Sequence, residues 1–204
     1  MNLENGVAKP LASGIANSAV SSGLRAAGVI LGGSALVALC SHITVPLGFT
    51  PVPLTLQPFA VLLLGLLLTP RLAAATLGVY LLEGAAGLPV FAPGLVFGAG
   101  LAHLLGPTGG YLMAYPAAAA LVAYLWRHSR RGYSAALMSA VAGDAAILLC
   151  GFLWLTVWTH GAGSLSSVKT AFALAVLPFL PGDALKVVAV AAIARGLERA
   201  RHSR

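Results

Sequence analysis

Charged residues are scarce in this sequence. Only 8% of its 204 residues are Asp, Glu, Lys or Arg, whereas 59% are hydrophobic. Soluble domains carry a charge on roughly a quarter of their residues. A chain of this size cannot hide so much apolar surface inside a water-facing globule, so the composition excludes an ordinary soluble protein and predicts one that lies in the lipid bilayer.

Acidic residues are the scarcer of the two charge types. The chain has five Asp and Glu against twelve Lys and Arg, which gives a formal net charge of +7. Such an excess in a soluble domain suggests nucleic-acid binding. Here the basic residues lie between apolar runs, as in membrane proteins whose cytoplasmic loops are basic. We therefore expect the bilayer, and no nucleic acid, as a partner.

Cysteines are few, and catalytic motifs are missing. Cys40 and Cys150 each lie inside an apolar run without metal-ligand spacing. His42 and His103 lie near outer ends of apolar runs and are interpreted as interfacial histidines, since neither has a second ligand at metal spacing. The sequence has no GxSxG, HExxH or P-loop motif. We predict no enzyme activity, no metal, no cofactor and no ATP site in this chain.

Long apolar runs dominate what is present. A helix needs about 20 mainly apolar residues to cross the hydrocarbon core. Six stretches reach or approach that length, at about Leu24–Ile43, Leu54–Leu68, Leu72–Ala86, Gly110–Trp126, Ser134–Trp158 and Ala171–Ala194. Thr69-Pro70 separates the second from the third, because proline lacks an amide hydrogen and disfavours helix in the residue before it. The predicted fold is all-α, a polytopic membrane protein with six transmembrane helices.

The basic residues predict the orientation of these helices. With a cytoplasmic N-terminus, ten Lys and Arg fall on the cytoplasmic side and only Lys169 on the outer side, while Lys186 falls within the sixth helix. Because short cytoplasmic loops are enriched in basic residues, both termini are predicted to be cytoplasmic and the protein to be a multi-pass component of the bacterial cytoplasmic membrane. The predicted organisation is a flexible cytoplasmic tail at 1–22, a six-helix substrate-binding domain at 23–197 and a basic cytoplasmic tail at 198–204.

Two outer connections are apolar, although loops in water are usually polar. The first lid segment, Val45–Pro53, reads VPLGFTPVP, and the second lid segment, Gly87–Gly110, is rich in glycine and proline. Irregular backbone at membrane depth is tolerated where it is buried in protein or lines a cavity, and in transporters it marks the substrate site. We expect both segments to fold over a pocket; the alternative is that they only fill space between helices.

Four ionisable residues fall within the predicted helices, where a charge is costly and usually functional. Asp183 and Lys186 lie three residues apart and therefore on one helical face, and Asp183 suits an N-cap position. The pair fits a small polar ligand with donors and acceptors; the alternative is a self-satisfied ion pair. Asp144 is interpreted as structural, capping its helix or pairing with arginines. Glu83 is left open between a solvated position and a pocket-facing one.

Four motifs follow one another along the chain. They are TPVPLTLQPFAVLLLGLLL at Thr50–Leu68, GLPVF at Gly87–Phe91, LLGPTGGYLMAYP at Leu104–Pro116 and PFLPGDALK at Pro178–Lys186. Together they resemble the BioY family of biotin transporters, the substrate-binding S-components of energy-coupling factor (ECF) transporters. The resemblance implies a six-helix S-component fold, high-affinity binding and uptake of biotin, and a complex with a transmembrane coupling protein and a pair of ATPases.

The same resemblance implies roles for the polar residues of these motifs. Asp183 and Lys186 match the family's PGDxxK pair and would hold the polar end groups of biotin, most simply with Asp183 accepting the ureido N–H groups. Which end of the ligand each of them contacts stays open. Thr55 and Gln57, in the TLQ element, would lie at the pocket lid.

Phe91 and Tyr111 are implied to supply apolar and aromatic wall for the ring and tail of biotin. After GLPVF, many relatives continue with a Gly-rich or Asn-containing stretch, whereas this chain reads Ala-Pro-Gly-Leu at 92–95. A polar contact from that loop is therefore left open. The alternatives to a biotin carrier are an S-component for another vitamin and a structural membrane subunit that transports nothing.

Overall fold

The protein is a helical bundle with one small hairpin. The structure, a computed structural model, describes residues 8–93, 100–161 and 168–202. This part of the chain contains eight helices and two short strands, in the order α1 Ala8–His42, β1 Thr44–Val45, β2 Leu54–Thr55, α2 Gln57–Leu67, α3 Pro70–Ala85, α4 Leu101–Leu104, α5 Gly109–Arg127, α6 Tyr133–Gly161, α7 Val168–Ala175 and α8 Leu180–His202.

The central helix of the bundle is α5, which packs against α2, α3 and α6. Its small residues Ala118, Ala119 and Ala123 are almost fully buried, and small side chains let neighbouring helices approach closely in a membrane protein. On α2, a Cβ added to Gly65 would lie only 2.7 Å from Val122 Cβ and 2.9 Å from Ala119 O. The contact between α2 and α5 therefore depends on the missing side chain of Gly65.

Several helices are long and apolar enough for a membrane. Within the described residues, Ser21–His42 and Tyr133–His160 pass as spans by length and composition, and Val168–Ala175 with Leu180–Ala200 passes as a third if a bend of 46° is allowed. At 1.5 Å per residue, the eleven residues of α2 cover about 16 Å, roughly half the hydrocarbon core. The structure agrees with a helical membrane protein, while six crossings and cytoplasmic termini stay predictions.

The second predicted span is shorter than its apolar run. Leu54–Thr55 form β2, which pairs antiparallel with β1 in the register Thr44↔Thr55 and Val45↔Leu54, so the helix begins only at Gln57. The predicted break after α2 is confirmed. Thr69 Oγ1 accepts a hydrogen bond from Leu72 N at 3.3 Å, and Pro70 is the first residue of α3, where its missing amide hydrogen costs nothing.

The prediction that the sixth span is one continuous helix over Ala171–Ala194 is wrong. Helix α7 ends at Ala175 and α8 begins at Leu180, with a turn between them. Pro178 lacks an amide hydrogen and disfavours helical backbone in the residue before it. Apolar residues continue through this turn, but the helix is interrupted.

The predicted N-terminal tail is helical over much of its length. Helix α1 begins at Ala8 rather than near residue 23, while the flexibility of the tail at 1–22 stays a prediction. Pro10 falls in the first turn of α1, where a missing amide hydrogen is tolerated. The remainder of the tail prediction, at 1–7, lies outside the described residues.

Candidate functional site

A cavity opens between α2, α5, α6 and α8, beneath the loop of the hairpin. The cavity and its mouth together contain about 730 Å³ of empty space, part of which is open to solvent. Apart from two tyrosine hydroxyls, its polar side chains are Thr55, Gln57, His103, Thr108, Asp183 and Lys186. The rest of the wall is apolar or aromatic, as expected for a ligand that is mostly apolar with a few polar groups.

Asp183 and Lys186 lie side by side at this cavity. Lys186 Nζ donates to Asp183 Oδ1 at 2.8 Å, and the two side chains are only 9% and 4% exposed, lysine first. The predicted N-cap role of Asp183 is wrong, because α8 begins at Leu180 and Asp183 falls in its first turn, where its amide donates to Phe179 O at 2.8 Å. A carboxylate in that turn is still favoured by the helix dipole. The pair is ion-paired and also lines the cavity, so its remaining donors and acceptors are available to a ligand.

Gln57 is held in place by three hydroxyl groups. Its Nε2 donates to Tyr80 OH at 2.5 Å, while its Oε1 accepts from Thr55 Oγ1 at 3.2 Å and from Tyr115 OH at 3.5 Å. Thr55 and Gln57 line the cavity, and Tyr115 lines it too. Such a network fixes the direction of the amide before any ligand arrives, which reduces the ordering cost of binding.

Tyr80 connects Gln57 to the second lid segment. Its hydroxyl donates to Val90 O at 3.0 Å, and Ser41 Oγ on α1 donates to the same carbonyl at 2.8 Å. Tyr80 is fully buried. Sequence reasoning missed this residue because nothing within α3 indicates that its hydroxyl reaches two other segments.

Tyr80→Phe is expected to lower the affinity for the ligand about tenfold without unfolding the protein. The change keeps the ring but removes the partner of Gln57 Nε2, so the amide must be ordered when the ligand binds, at a cost of about 1–1.5 kcal/mol. The matched control is Tyr124→Phe, because Tyr124 is exposed on the same bundle. Equilibrium binding of the proposed ligand checks the prediction, and equal affinities for the two variants would contradict it.

Phe91 lies behind the cavity rather than in its wall. Its ring stacks on His103 at 5.1 Å and meets Tyr80 edge-on at 5.5 Å, and a Cβ on Gly84 would overlap it. The residues that face the cavity here are Ala92 and His103, and burial lowers the pKa of the His103 imidazole. The role of Phe91 in binding stays a prediction.

Tyr111 occupies the predicted wall and also serves the turn between α7 and α8. Its hydroxyl donates to Ala175 O at 2.6 Å, and Thr50 Oγ1 in the first lid segment donates to Leu174 O at 3.0 Å. Carbonyls in the last turn of a helix have no helical partner. Tyr111 in the cavity wall and Thr50 in the first lid segment therefore donate hydrogen bonds to backbone carbonyls that the break between α7 and α8 leaves without a helical partner. Phe179 in that turn packs near Tyr111, with ring centres 6.1 Å apart.

The other two intramembrane carboxyl groups differ from expectation. Asp144 lies in the middle of α6 and is only 8% exposed, so it caps no helix. It forms no ion pair with an arginine in the described part of the chain, and its Oδ1 has no hydrogen-bond partner there. Glu83 is partly exposed and does not line the cavity. It accepts a hydrogen bond from Ser34 and so ties α3 to α1.

Fold and cavity together define the class of this protein: an α-helical membrane protein with a mainly apolar cavity that an ion pair lines. The model of the BioY family matches residues 13–203. The chain therefore belongs to the BioY family.

Two relatives and a solved structure agree with this assignment. The chain is 41% identical over 164 residues to the probable biotin transporter BioY of Pyrococcus horikoshii, covering 80% of this chain and 90% of the relative. It is 34% identical over 166 residues to the biotin transporter BioY of Thermotoga maritima, covering 81% and 91%. The crystal structure of the S-component for biotin from an ECF-type ABC transporter superimposes with a TM-score of 0.75 at 25% identity, covering 88% of this chain and 93% of that one.

Proposed function

We propose that this protein binds biotin with high affinity and takes it up across the cytoplasmic membrane as the S-component of an ECF-type transporter. The names of the relatives and the likeness to a biotin S-component support this function. The observation that carries it is the ion pair of Asp183 and Lys186 at the wall of an otherwise apolar cavity.

The chemistry of biotin matches that wall. Its ureido ring presents two N–H donors and one carbonyl acceptor, and its sulfur-containing ring and aliphatic tail are apolar. A carboxylate such as Asp183 accepts the ureido N–H groups, and the ammonium of Lys186 donates; such charge-assisted hydrogen bonds are roughly twice as strong as neutral ones. Gln57 offers a further fixed amide, and Tyr111 and Phe179 offer aromatic surface for the apolar part.

Six crossings with both termini cytoplasmic are part of the proposal. Arg127 Nε donates to Leu68 O at 3.3 Å, and Arg131 forms an ion pair with Glu198 at 3.4 Å, so several basic residues gather at the end of the bundle away from the cavity. Lys169 lies on α7, which contacts the first lid segment at the cavity end. This sidedness supports a cytoplasmic basic end and an outward-facing cavity.

An ECF coupling protein and its ATPases are the proposed partners. The sequence carries no nucleotide-binding motif, so uphill uptake would require energy from separate subunits. The internal cavity supplies the solute-binding part of such an assembly.

The test is equilibrium binding of labelled biotin to the purified full-length protein in detergent. Saturable binding of one biotin per chain is expected, and neither thiamine nor riboflavin should displace it. Displacement by either vitamin at similar concentration would indicate an S-component of different specificity. Absence of binding by all three would leave a structural membrane subunit and contradict the proposal.

A further inference from the structure

Asp144 is a buried carboxyl group with no assigned role. It lies one helical turn before Ile147 and Leu148, which line the cavity, and therefore on the same face of α6 but deeper in the bundle. More than nine-tenths of its surface is buried, and its Oδ1 finds no hydrogen-bond partner in the described residues. A buried polar atom without a partner is costly, so this position requires an explanation beyond packing.

Asp144 belongs electrostatically to the ligand site. Helix α6 packs directly against α8 and α5. Asp183 and Lys186 on α8 lie within electrostatic range of Asp144, as does Tyr115 on α5, which lines the cavity. Lys186 Nζ already forms an ion pair with Asp183 Oδ1 at 2.8 Å. The group therefore holds two carboxyl groups and one ammonium, and Asp144 is the carboxyl group left without a matching cation.

We propose that Asp144 is a third ionisable residue of the ligand site and that it sets the charge preference of the cavity. This unpaired carboxyl group raises the affinity for a ligand that brings N–H donors or a positive charge toward Asp183 and Lys186. It lowers the affinity for a ligand that brings a negative charge there. Asp144 acts through its field and through Lys186, without touching the ligand, and is therefore a specificity-determining positioning residue. The inference rests on the proposed binding of biotin.

The experiment compares two ligands of nearly equal shape. Biotin carries a neutral ureido ring, and 2-iminobiotin carries a cyclic guanidine that is protonated at neutral pH. The measured quantity is the ratio of their dissociation constants, Kd for 2-iminobiotin over Kd for biotin, at pH 8.5, where the cyclic guanidine is still protonated. Asp144→Asn is expected to raise this ratio about tenfold, because a unit charge acting through partly buried protein changes the affinity for a cation by that order. A loss of packing alone would weaken both ligands together and leave the ratio unchanged.

Three further variants make the result specific. Asp144→Ser removes the carboxyl group in another way and should raise the ratio similarly, whereas Asp144→Glu keeps it and should stay within about twofold of the wild-type ratio. Glu83→Gln removes a carboxyl group that lies in the bundle but away from the cavity, and it should leave the ratio unchanged.

The outcomes separate the inference from the proposed function. Unchanged ratios in both neutral variants, with biotin still bound, would overturn the role of Asp144 alone. Wild-type protein provides a measurement that needs no variant: it should bind 2-iminobiotin within about tenfold of biotin, and a discrimination of a thousandfold against the cation would also overturn the role. Failure of wild-type protein to bind biotin at all would instead overturn the proposed function.

Discussion

Asp183→Asn is expected to weaken the binding of biotin by at least about a hundredfold. The substitution keeps the shape of the side chain but leaves the ammonium of Lys186 buried without its counter-charge, since the two groups lie 2.8 Å apart and are almost entirely buried. The ligand loses an anionic acceptor for its two ureido N–H groups, and a hydrogen bond to a charged group contributes about 1.5–3 kcal/mol. Because each 1.4 kcal/mol corresponds to about a factor of ten in affinity, the loss of two such bonds accounts for the expected effect. Equilibrium binding of labelled biotin measures the effect.

Lys186→Ala should produce a loss of similar size, because it leaves Asp183 without its cation. Its matched control is Lys169→Ala, since Lys169 is exposed on α7 and lies outside the cavity lining. For Asp183→Asn the control is Glu83→Gln, a carboxylate-to-amide change at a residue that does not line the cavity. Unchanged affinity in both cavity variants would show that the assignment of the site is wrong.

Gly65→Leu is expected to lower the midpoint of thermal unfolding by about 3–10 °C. Even a single added carbon would lie 2.7 Å from Val122 Cβ and 2.9 Å from Ala119 O, and the second of these is a backbone atom that cannot turn aside. Overpacking of this kind costs about 1–3 kcal/mol, and for a chain of this length each kcal/mol shifts the midpoint by roughly 2–4 °C. Circular dichroism in detergent provides the measurement.

The control for this change is Gly78→Leu on α3. Nothing lies within 4 Å of a Cβ added there, and replacing a glycine inside a helix favours helical backbone by up to about 1 kcal/mol. This variant should therefore unfold at or above the wild-type temperature. Equal midpoints for the two leucine variants would mean that α2 and α5 are not held together by the close approach at Gly65.

The sequence predicts helices well where apolar runs have clear ends. Predicted limits of Gly110–Trp126 and Ser134–Trp158 lie within three residues of α5 and α6, because turn-forming and charged residues flank both runs. The break at Thr69-Pro70 was also foreseen, since proline chemistry acts locally. The interruption before Leu180 was missed because apolar residues continue through it, and apolar composition does not distinguish a continuous helix from two helices joined by a buried turn.

The sequence predicts only those features of the candidate site that depend on residues close together in the chain. Asp183 and Lys186 were visible because their spacing places them on one helical face and because charge is rare in this chain. The contributions of Tyr80 and Tyr115 depend on contacts with Gln57 across 23 and 58 residues of sequence. No periodicity within a helix reveals contacts of that range, because they are set by how the helices pack against one another.

The turn between α7 and α8 has a consequence for how a ligand enters. The hydroxyl of Thr50 donates to the carbonyl of Leu174, so raising the hairpin loop from the cavity would break that hydrogen bond. A hydrogen bond of this kind contributes about 0.5–1.5 kcal/mol. Displacing the loop therefore has an energetic cost, which is smaller when water or a ligand donates to the same carbonyl.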